Sequence, residues 1–592
     1  MEQCETTDTR AWVKERYQEV QRLTNKRETS PSELHEGRCM AVKILTEILE
    51  ALTKDALCNT MAAITHLNIG ILQSDMQEPQ LAKENFRRCI GLLSASESTP
   101  EGILPAISAN NQIGIVHAQQ GAYGKAKDFL EQAENLYIKF TEDVQLEPVN
   151  MVTIMGIEEI EGDLCARSVL EKLHTLTLYY LAQVCRELDD KQSFALYCHR
   201  TLSKQLSLNS ITRDLDHVEW ALNAATISQY FIEHDRFPQA RHHLAAASCI
   251  LQRYWESLQA KGGRETSESV AAEYETYDHR SADVARCWAK YGIALLSASR
   301  ERLLQRAEQE DQCSENAKDQ EVQSVQEAAD PRFVDLEPEL EPFAGEITDQ
   351  YLLDFNDARP VFLNVRKWLD KAKAYYTFEN HASDYAHIAQ DVSQAYKYLA
   401  FFEENEDRQA RMHKRRADTL EEIVQGLSPR FYRALCRDIW IELAETYSEM
   451  LDIKIDRLQA SNEKPTAQTI EKIERLALKS VQHYTSYLES VEGGKSSGNE
   501  VGSLPDDQLF QALYSHFHIG RLYNKIITAD VQKKMENMQN SINAYSFIVQ
   551  YYDEHPERQE QLKKYEFIEL SKEFVSLLPL TLDRLKQQQM KE

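Results

Sequence analysis

Glycine and proline are scarce in this chain, with 19 and 15 in 592 residues, about half the usual combined share. Hairpin turns need those residues, so a turn-dense β-sandwich or barrel is excluded. Basic charge is also short: 67 Lys and Arg face 95 Asp and Glu, a net charge of −28. So acidic a surface repels phosphate backbones and argues against a nucleic-acid partner. No run approaches the ~18 apolar residues of a membrane helix, so no membrane insertion is expected. Met1 to Asn25 has no apolar stretch of the kind a secretory signal needs. The eleven cysteines, spread from Cys4 to Cys436, contain no C-x-x-C pair. Disulfide frameworks and zinc ribbons need close, repeated spacing, so the thiols are expected to be reduced and the chain soluble and cytoplasmic.

What is present is helix. Hydrophobic residues make up 42% and recur at i, i+3, i+4 and i+7 almost throughout, the spacing of one buried helical face. The clearest unit runs from Ile113-Gly114 through Gly121, Tyr123, Ala126 and Leu130 to Ala133. That is the small-residue pattern of a tetratricopeptide helix pair. Gly114 and Ala126 lack bulk, so two antiparallel helices can approach closely, and Gly121 permits the reversal between them. Ile69-Gly70 with Ala82, Phe86 and Cys89 repeats the scheme, as does Ile227-Ser228 with Phe237, Ala240, Leu244 and Ala247. Leu181-Ala182, Leu443-Ala444 and Ile519-Gly520 open further pairs. Such pairs bury their faces only by stacking, so the expected fold is all-α, a right-handed α-solenoid of tetratricopeptide-like helix pairs.

The interruptions divide the chain. Residues 1–60 are expected to be helical and partly flexible, with a first solenoid half over 61–306 and a second over 350–592. Between them, residues 307–349 carry 14 acidic and 2 basic side chains, which reads as a long acidic loop joining the halves. Residues 141–162 read as an inter-helix loop and 492–505 as a flexible linker.

No motif in the sequence carries catalytic chemistry. Gly493-Gly494-Lys495-Ser496 resembles the end of a P-loop, but Glu489 stands where its first glycine belongs. His242-His243 point about 100° apart on a helix, so they suit packing better than metal binding. Cys198-His199 are helix neighbours that rarely reach each other, which leaves no nucleophile and base. Met412 to Arg416 is the one basic cluster and reads as a solvated helix face. No catalytic residue, metal site or cofactor is expected, and the chain reads as a non-enzyme.

Repeat register locates a candidate partner surface. With Leu181 and Ala182 facing the partner helix, Tyr180 and Gln183 share another face, toward the concave groove. Thr226 and Gln229 hold the equivalent places around Ile227-Ser228, and Gln112 with Ile115 in the clearest unit. Tyr180 is the strongest of these, since exposed aromatics often anchor interfaces.

At these residues the chain resembles a known family. Tyr179-Tyr-Leu-Ala-Gln-Val184, Glu219-Trp-Ala-Leu-Asn-Ala-Ala-Thr226, Ala285-Arg-Cys-Trp288, Leu399-Ala-Phe-Phe402, Gly520-Arg-Leu-Tyr523 and Val575-Ser-Leu-Leu-Pro579 resemble blocks of the kinesin-binding protein (KBP) family. The resemblance implies a tetratricopeptide-like solenoid that binds the motor domains of a subset of kinesins and blocks their access to microtubules. Regulation of microtubule-based transport, of axon and neuronal development and of spindle function would follow, from a monomer associated with the cytoskeleton. The groove positions implied by the resemblance are Tyr180, Gln183, Gln205 and Thr226. Gln205 is expected just after the second helix of its pair. The alternative is a tetratricopeptide co-chaperone or scaffold adaptor clamping peptide C-termini, but that clamp needs Lys and Arg where this register supplies Gln, Tyr and Thr.

Overall fold

Apolar spacing builds most elements, with the buried face the i, i+3, i+4, i+7 face of a helix, whereas the central helix over 103–119 is buried almost all round. The computed structural model describes residues 2–25, 31–52, 59–144, 146–158, 165–264, 267–312, 331–461, 465–492 and 504–589. Its helices are α1 (Glu2–Asn25), α2 (Pro31–Leu52), α3 (Asn59–Asp75), α4 (Pro79–Leu93), α5 (Ile103–Gln119), α6 (Tyr123–Asp143), α7 (Met151–Ile154), α8 (Ala166–Glu187), α9 (Lys191–Thr212), α10 (His217–Glu233) and α11 (Phe237–Lys261). They continue with α12 (Glu268–Gln312), α13 (Glu337–Ala344), α14 (Phe355–Tyr375), α15 (Ala382–Phe402), α16 (Glu406–Gly426) and α17 (Arg433–Ser461). The last are α18 (Ala467–Glu492), α19 (Leu509–Lys525), α20 (Val531–Glu554), α21 (Gln559–Leu562) and α22 (Glu566–Gln589). The described residues contain no strand.

The chain packs as two units, Met1–Glu256 with Val325–Leu340, and Ser257–Ser324 with Glu341–Glu592. In the first, α3 pairs with α4, α5 with α6 and α8 with α9, while α5 also touches both α3 and α8. That is the layering of tetratricopeptide pairs, with first helices stacked on first helices. A Cβ at Gly114 would sit 2.7 Å from Leu130 Cγ, so the missing side chain is what brings α5 against α6. The reversal that follows needs Gly121 at φ +72°, and the Ala122 N–H reaches back to the His117 carbonyl at 2.9 Å, closing a Schellman turn. In the second unit the sequence of neighbours runs α14–α15, α15–α16, α16–α17, α17–α18, α18–α19 and α19–α20, with α12 against α14 and α15. An apolar core there extends from Ala386 to Ile568.

Three expectations are corrected. Residues 141–162 are more than a loop: α7 lies within them, and Met155 is buried in the same apolar cluster as Val13 and Tyr17, because Met151, Ile154 and Met155 offer apolar surface. Residues 331–349 are more than an acidic loop: a 3-10 turn and α13 form there, and Phe333 is buried among His199, Trp220, His242 and His243. Its backbone N–H donates to His242 Nε2 at 2.8 Å, and Arg253 pairs with Glu339 at 2.7 Å. The basic cluster is only partly a solvated face: Lys414 and Arg415 are exposed, but Arg416 is 0% exposed and His413 is buried. The P-loop-like residues 493–496 lie outside the described residues, as does the middle of the acidic segment, 313–330.

Candidate partner-binding surface

Helix α8 is clamped on both sides. Leu181, Val184 and Leu178 are buried, and His174 stacks on Tyr137 with ring centroids 3.6 Å apart. The Tyr137 hydroxyl donates to Glu171 at 2.9 Å, and Lys204 donates to both Glu171 and Tyr137, at 2.9 and 3.0 Å. These contacts tie α6, α8 and α9 together. Asp190 begins α9 by accepting from the Ser193 N–H at 3.0 Å. The Trp220 indole N–H donates to the Leu202 carbonyl at 3.0 Å, joining α10 to α9. The surface carried by α8 to α10 is therefore held from beneath.

Around Leu181-Ala182 and Ile227-Ser228, burial follows the register. Leu181, Ala182, Ile227 and Ser228 are buried, while Tyr180, Gln183 and Gln229 are half-buried and Thr226 is exposed. Tyr180 packs beside Tyr123 and Tyr197 against the small cluster of Ala126, Leu130, Leu181 and Val184. Burial, then the neighbouring Tyr179, raises the pKa of its phenol. Neither Tyr180 nor Gln183 makes a side-chain hydrogen bond among the described residues. The Thr226 hydroxyl donates to the Leu222 carbonyl of its own helix at 2.8 Å, and the Gln229 amide to Ser228 Oγ at 3.3 Å.

Tyr180 and Gln183 thus share one face of α8, and Thr226 and Gln229 one face of α10. Gln205 differs from expectation: it lies inside α9 rather than after it, because that helix continues to Thr212. It belongs to a second helix, whereas the other four belong to first helices. Ile115, the counterpart of Gln183 in α5, is buried and so presents nothing there. Sequence reasoning passed over Tyr179, which is 42% exposed and meets Tyr180 edge-on at 5.3 Å. The adjacent aromatic pair in the sequence was the available signal.

Cys198 and His199 are not arranged as nucleophile and base. Burial pushes the Cys198 thiol up to about 12, the reverse of what a thiolate nucleophile requires. The neighbouring His199 is buried and its Nδ1 meets His243 Nε2 at 3.1 Å. Among the described residues no group of three or more His, Cys, Asp or Glu is placed to hold a metal, and no helix is long and apolar enough to cross a membrane.

Comparison with known proteins places the architecture. A family described as KIF-1 binding protein C terminal matches residues 218–585, which takes in Thr226 and Gln229 on α10. The chain is 34% identical over 540 residues to a KIF-binding protein of Drosophila melanogaster, covering 90% of this chain and 87% of that one. It is 33% identical over 580 residues to the KIF-binding protein of Gallus gallus, covering 95% and 94%, and 32% identical to that of Homo sapiens, covering 88% and 84%. A solved structure of a kinesin binding protein aligns over 96% of this chain and 98% of its own, with TM-score 0.58 and 27% identity. On these matches, the chain belongs to the KIF-binding protein family.

Proposed function

We propose that this chain binds the motor domains of a subset of kinesins through the first-helix face of α8 and α10, and that binding blocks their attachment to microtubules. What supports the partner is membership of a family whose members are named for binding kinesins. What supports the surface is one observation: Tyr180 has its ring packed on a fixed apolar cluster while its hydroxyl has no partner among the described residues. A pre-ordered aromatic with a free polar end costs little entropy to engage. Tyr179, Gln183 and Thr226 lie beside it or on the next first helix, and Gln205 extends the surface onto α9. Charge favours the encounter as well. Microtubules are acidic, so a motor's track-binding face is basic, and a chain of net charge −28 is drawn to it.

In this reading the chain is a cytoplasmic, cytoskeleton-associated, non-catalytic monomer. It uses no cofactor or nucleic acid and regulates microtubule-based transport, neuronal development and the spindle by withholding motors from their track. The test is affinity for isolated kinesin motor domains together with microtubule co-sedimentation. Added protein should release a subset of motors from microtubules, and release of none ends the reading. Tyr180→Ala with Thr226→Ala should weaken motor binding at least about tenfold with helical circular dichroism intact. Unchanged affinity would move the contact off α8 and α10.

A further inference from the structure

Around the turn between α5 and α6 lie three cations, and none has an acidic partner among the described residues. Lys83, on α4, is 6% exposed although it lies close to the surface. Its ammonium donates to the Gln120 side-chain oxygen at 2.9 Å. Arg87, one helical turn further along α4, and Lys125, in the first turn of α6, are exposed and make no ion pair. The nearest acidic residues in sequence do not answer them: Glu84 pairs with Arg88 at 2.5 Å, and Asp128 is exposed and unpaired. Lysine is almost never covered without an opposite charge, so an ammonium resting on one neutral amide is anomalous. Burial first, then Arg87 and Lys125, lowers the pKa of Lys83.

A second, independent observation points the same way. His117, one turn before Gln120 on α5, is 6% exposed and stacks on Phe129 at 5.8 Å, yet its Nε2 has no hydrogen-bond partner. Burial, followed by Lys83, Arg87 and Lys125, lowers its pKa, so the ring is neutral and stands in the field of those same cations. Helix α6 meanwhile begins after Ala122 with no side-chain cap. Its first amide N–H groups and the positive end of its dipole are left at the turn that Lys83 touches.

We propose that Lys83, Arg87, Lys125, His117 Nε2 and the start of α6 form a binding site for a phosphate-type oxyanion, either free phosphate or a phosphorylated side chain of a partner. Three cations and an uncapped helix start suit a dianion better than a single carboxylate. Arg87 can engage two oxygens at once, Lys83 supplies the covered charge, and His117 donates from Nε2 when the proton is on that nitrogen. The site does not depend on the motor-binding reading, whose residues are on α8, α9 and α10.

The test uses the full chain in phosphate-free buffer. It is titrated by calorimetry with inorganic phosphate and, separately, with a short phosphothreonine peptide and its unphosphorylated twin. Saturable one-site binding of a phosphorylated probe is expected. Arg87→Gln and Lys83→Met should each weaken it at least about tenfold. Methionine keeps the volume of Lys83 while removing the covered charge, and Arg87→Gln changes an exposed position, so circular dichroism should be unaltered. Phosphopeptide binding about tenfold tighter than phosphate supports the site with a phosphorylated partner as its source, and equal affinity supports it with the free ion. Absence of saturable binding by either probe, or affinity unchanged in both variants, overturns the proposal.

Discussion

The two units reverse the chain between paired helices in different ways. In the first, four reversals share one geometry. Gln77, Gly121, Asp189 and Asp235 all take the left-handed conformation, with φ between +55° and +72°. The N–H of each following residue reaches a carbonyl five residues back: Glu78 to Gln73, Ala122 to His117, Asp190 to Cys185 and Arg236 to Phe231. In the second unit the joins after α15, α16 and α19 leave the helix through the extended residues Glu403, Leu427 and Ile526, and none of these pairs closes on a left-handed residue. There a fully buried cation aligns helices across such joins. Arg416 Nη1 donates to Glu449 at 2.5 Å and to His413 Nδ1 at 2.9 Å, and Nε donates to Ser393 at 3.2 Å, so α15, α16 and α17 meet on one buried guanidinium. A tight turn sets a pair's geometry locally, whereas a looser join leaves it to side chains brought from distant sequence.

Breaking the second arrangement should have the largest effect. Arg416→Ala leaves Glu449 with His413 and Glu442 with Ser393, so the loss should fall below the about 3–5 kcal/mol typical of a fully buried ion pair, at about 2–3 kcal/mol. Urea unfolding should register that loss, with hydrogen exchange locating it in α15 to α17. A loss under about 1 kcal/mol would mean that the apolar core aligns these helices without the network. The turns of the first unit give smaller changes of opposite sign. Gly121→Ala forces a side chain into the left-handed region and should cost about 1 kcal/mol, whereas Gln77→Gly relieves the same strain and should stabilise by up to about 1 kcal/mol. Glycine in place of Glu403, where φ is −88°, relieves nothing, loosens the chain and removes the carboxylate that accepts from the Asn405 N–H at 3.0 Å. If Gln77→Gly destabilises, the four reversals are not equivalent.

This contrast also explains what the sequence could tell. The pairs of the first unit were legible because their determinants are local: Gly114 against Leu130, the reversal at Gly121, and the buried Leu181-Ala182 and Ile227-Ser228 that orient Tyr180, Gln183, Thr226 and Gln229. The burial of Arg416 was not, because its partners Glu442 and Glu449 sit on another helix and nothing near Met412 signals them. Phe333 was hidden for the same reason, as its aromatic pocket is formed by α9, α10 and α11. Ile115 shows the limit within the legible part: register names a face, but neighbouring helices decide whether that face reaches solvent. Register likewise placed the first-helix side chains without naming a partner, which composition and spacing do not encode.

The smallest expected effect compares the units through their buried histidines. Burial, aided by Lys204 and Arg200, pushes His174 of the first unit down to about 3. Burial likewise holds His516 of the second unit at about 4 and, with Arg521 and Lys525, His518 at about 4. His516 stacks on Phe547 at 4.0 Å and His518 on Tyr484 at 5.6 Å. In the unfolded chain a histidine titrates near about 6.5. Below that pH the unfolded state takes up protons that the folded state refuses, so this contribution is complete at neutral pH and declines as the pH falls toward 4. Glu449 does not intrude on the window: burial opposes its charge, but the His413 hydrogen bond and the Arg416 charge prevail and hold it at about 2. These histidines should therefore lower the urea midpoint between pH 7 and pH 5, against Asp391, Glu442 and Glu445, whose carboxyls burial pushes up and which work in the opposite direction. Replacing His516 and His518 with phenylalanine should flatten that fall more than His174→Phe does, since two such groups then leave the second unit and one the first. An unaltered slope in both variants would mean that these rings take up protons in the folded chain as readily as in the unfolded one.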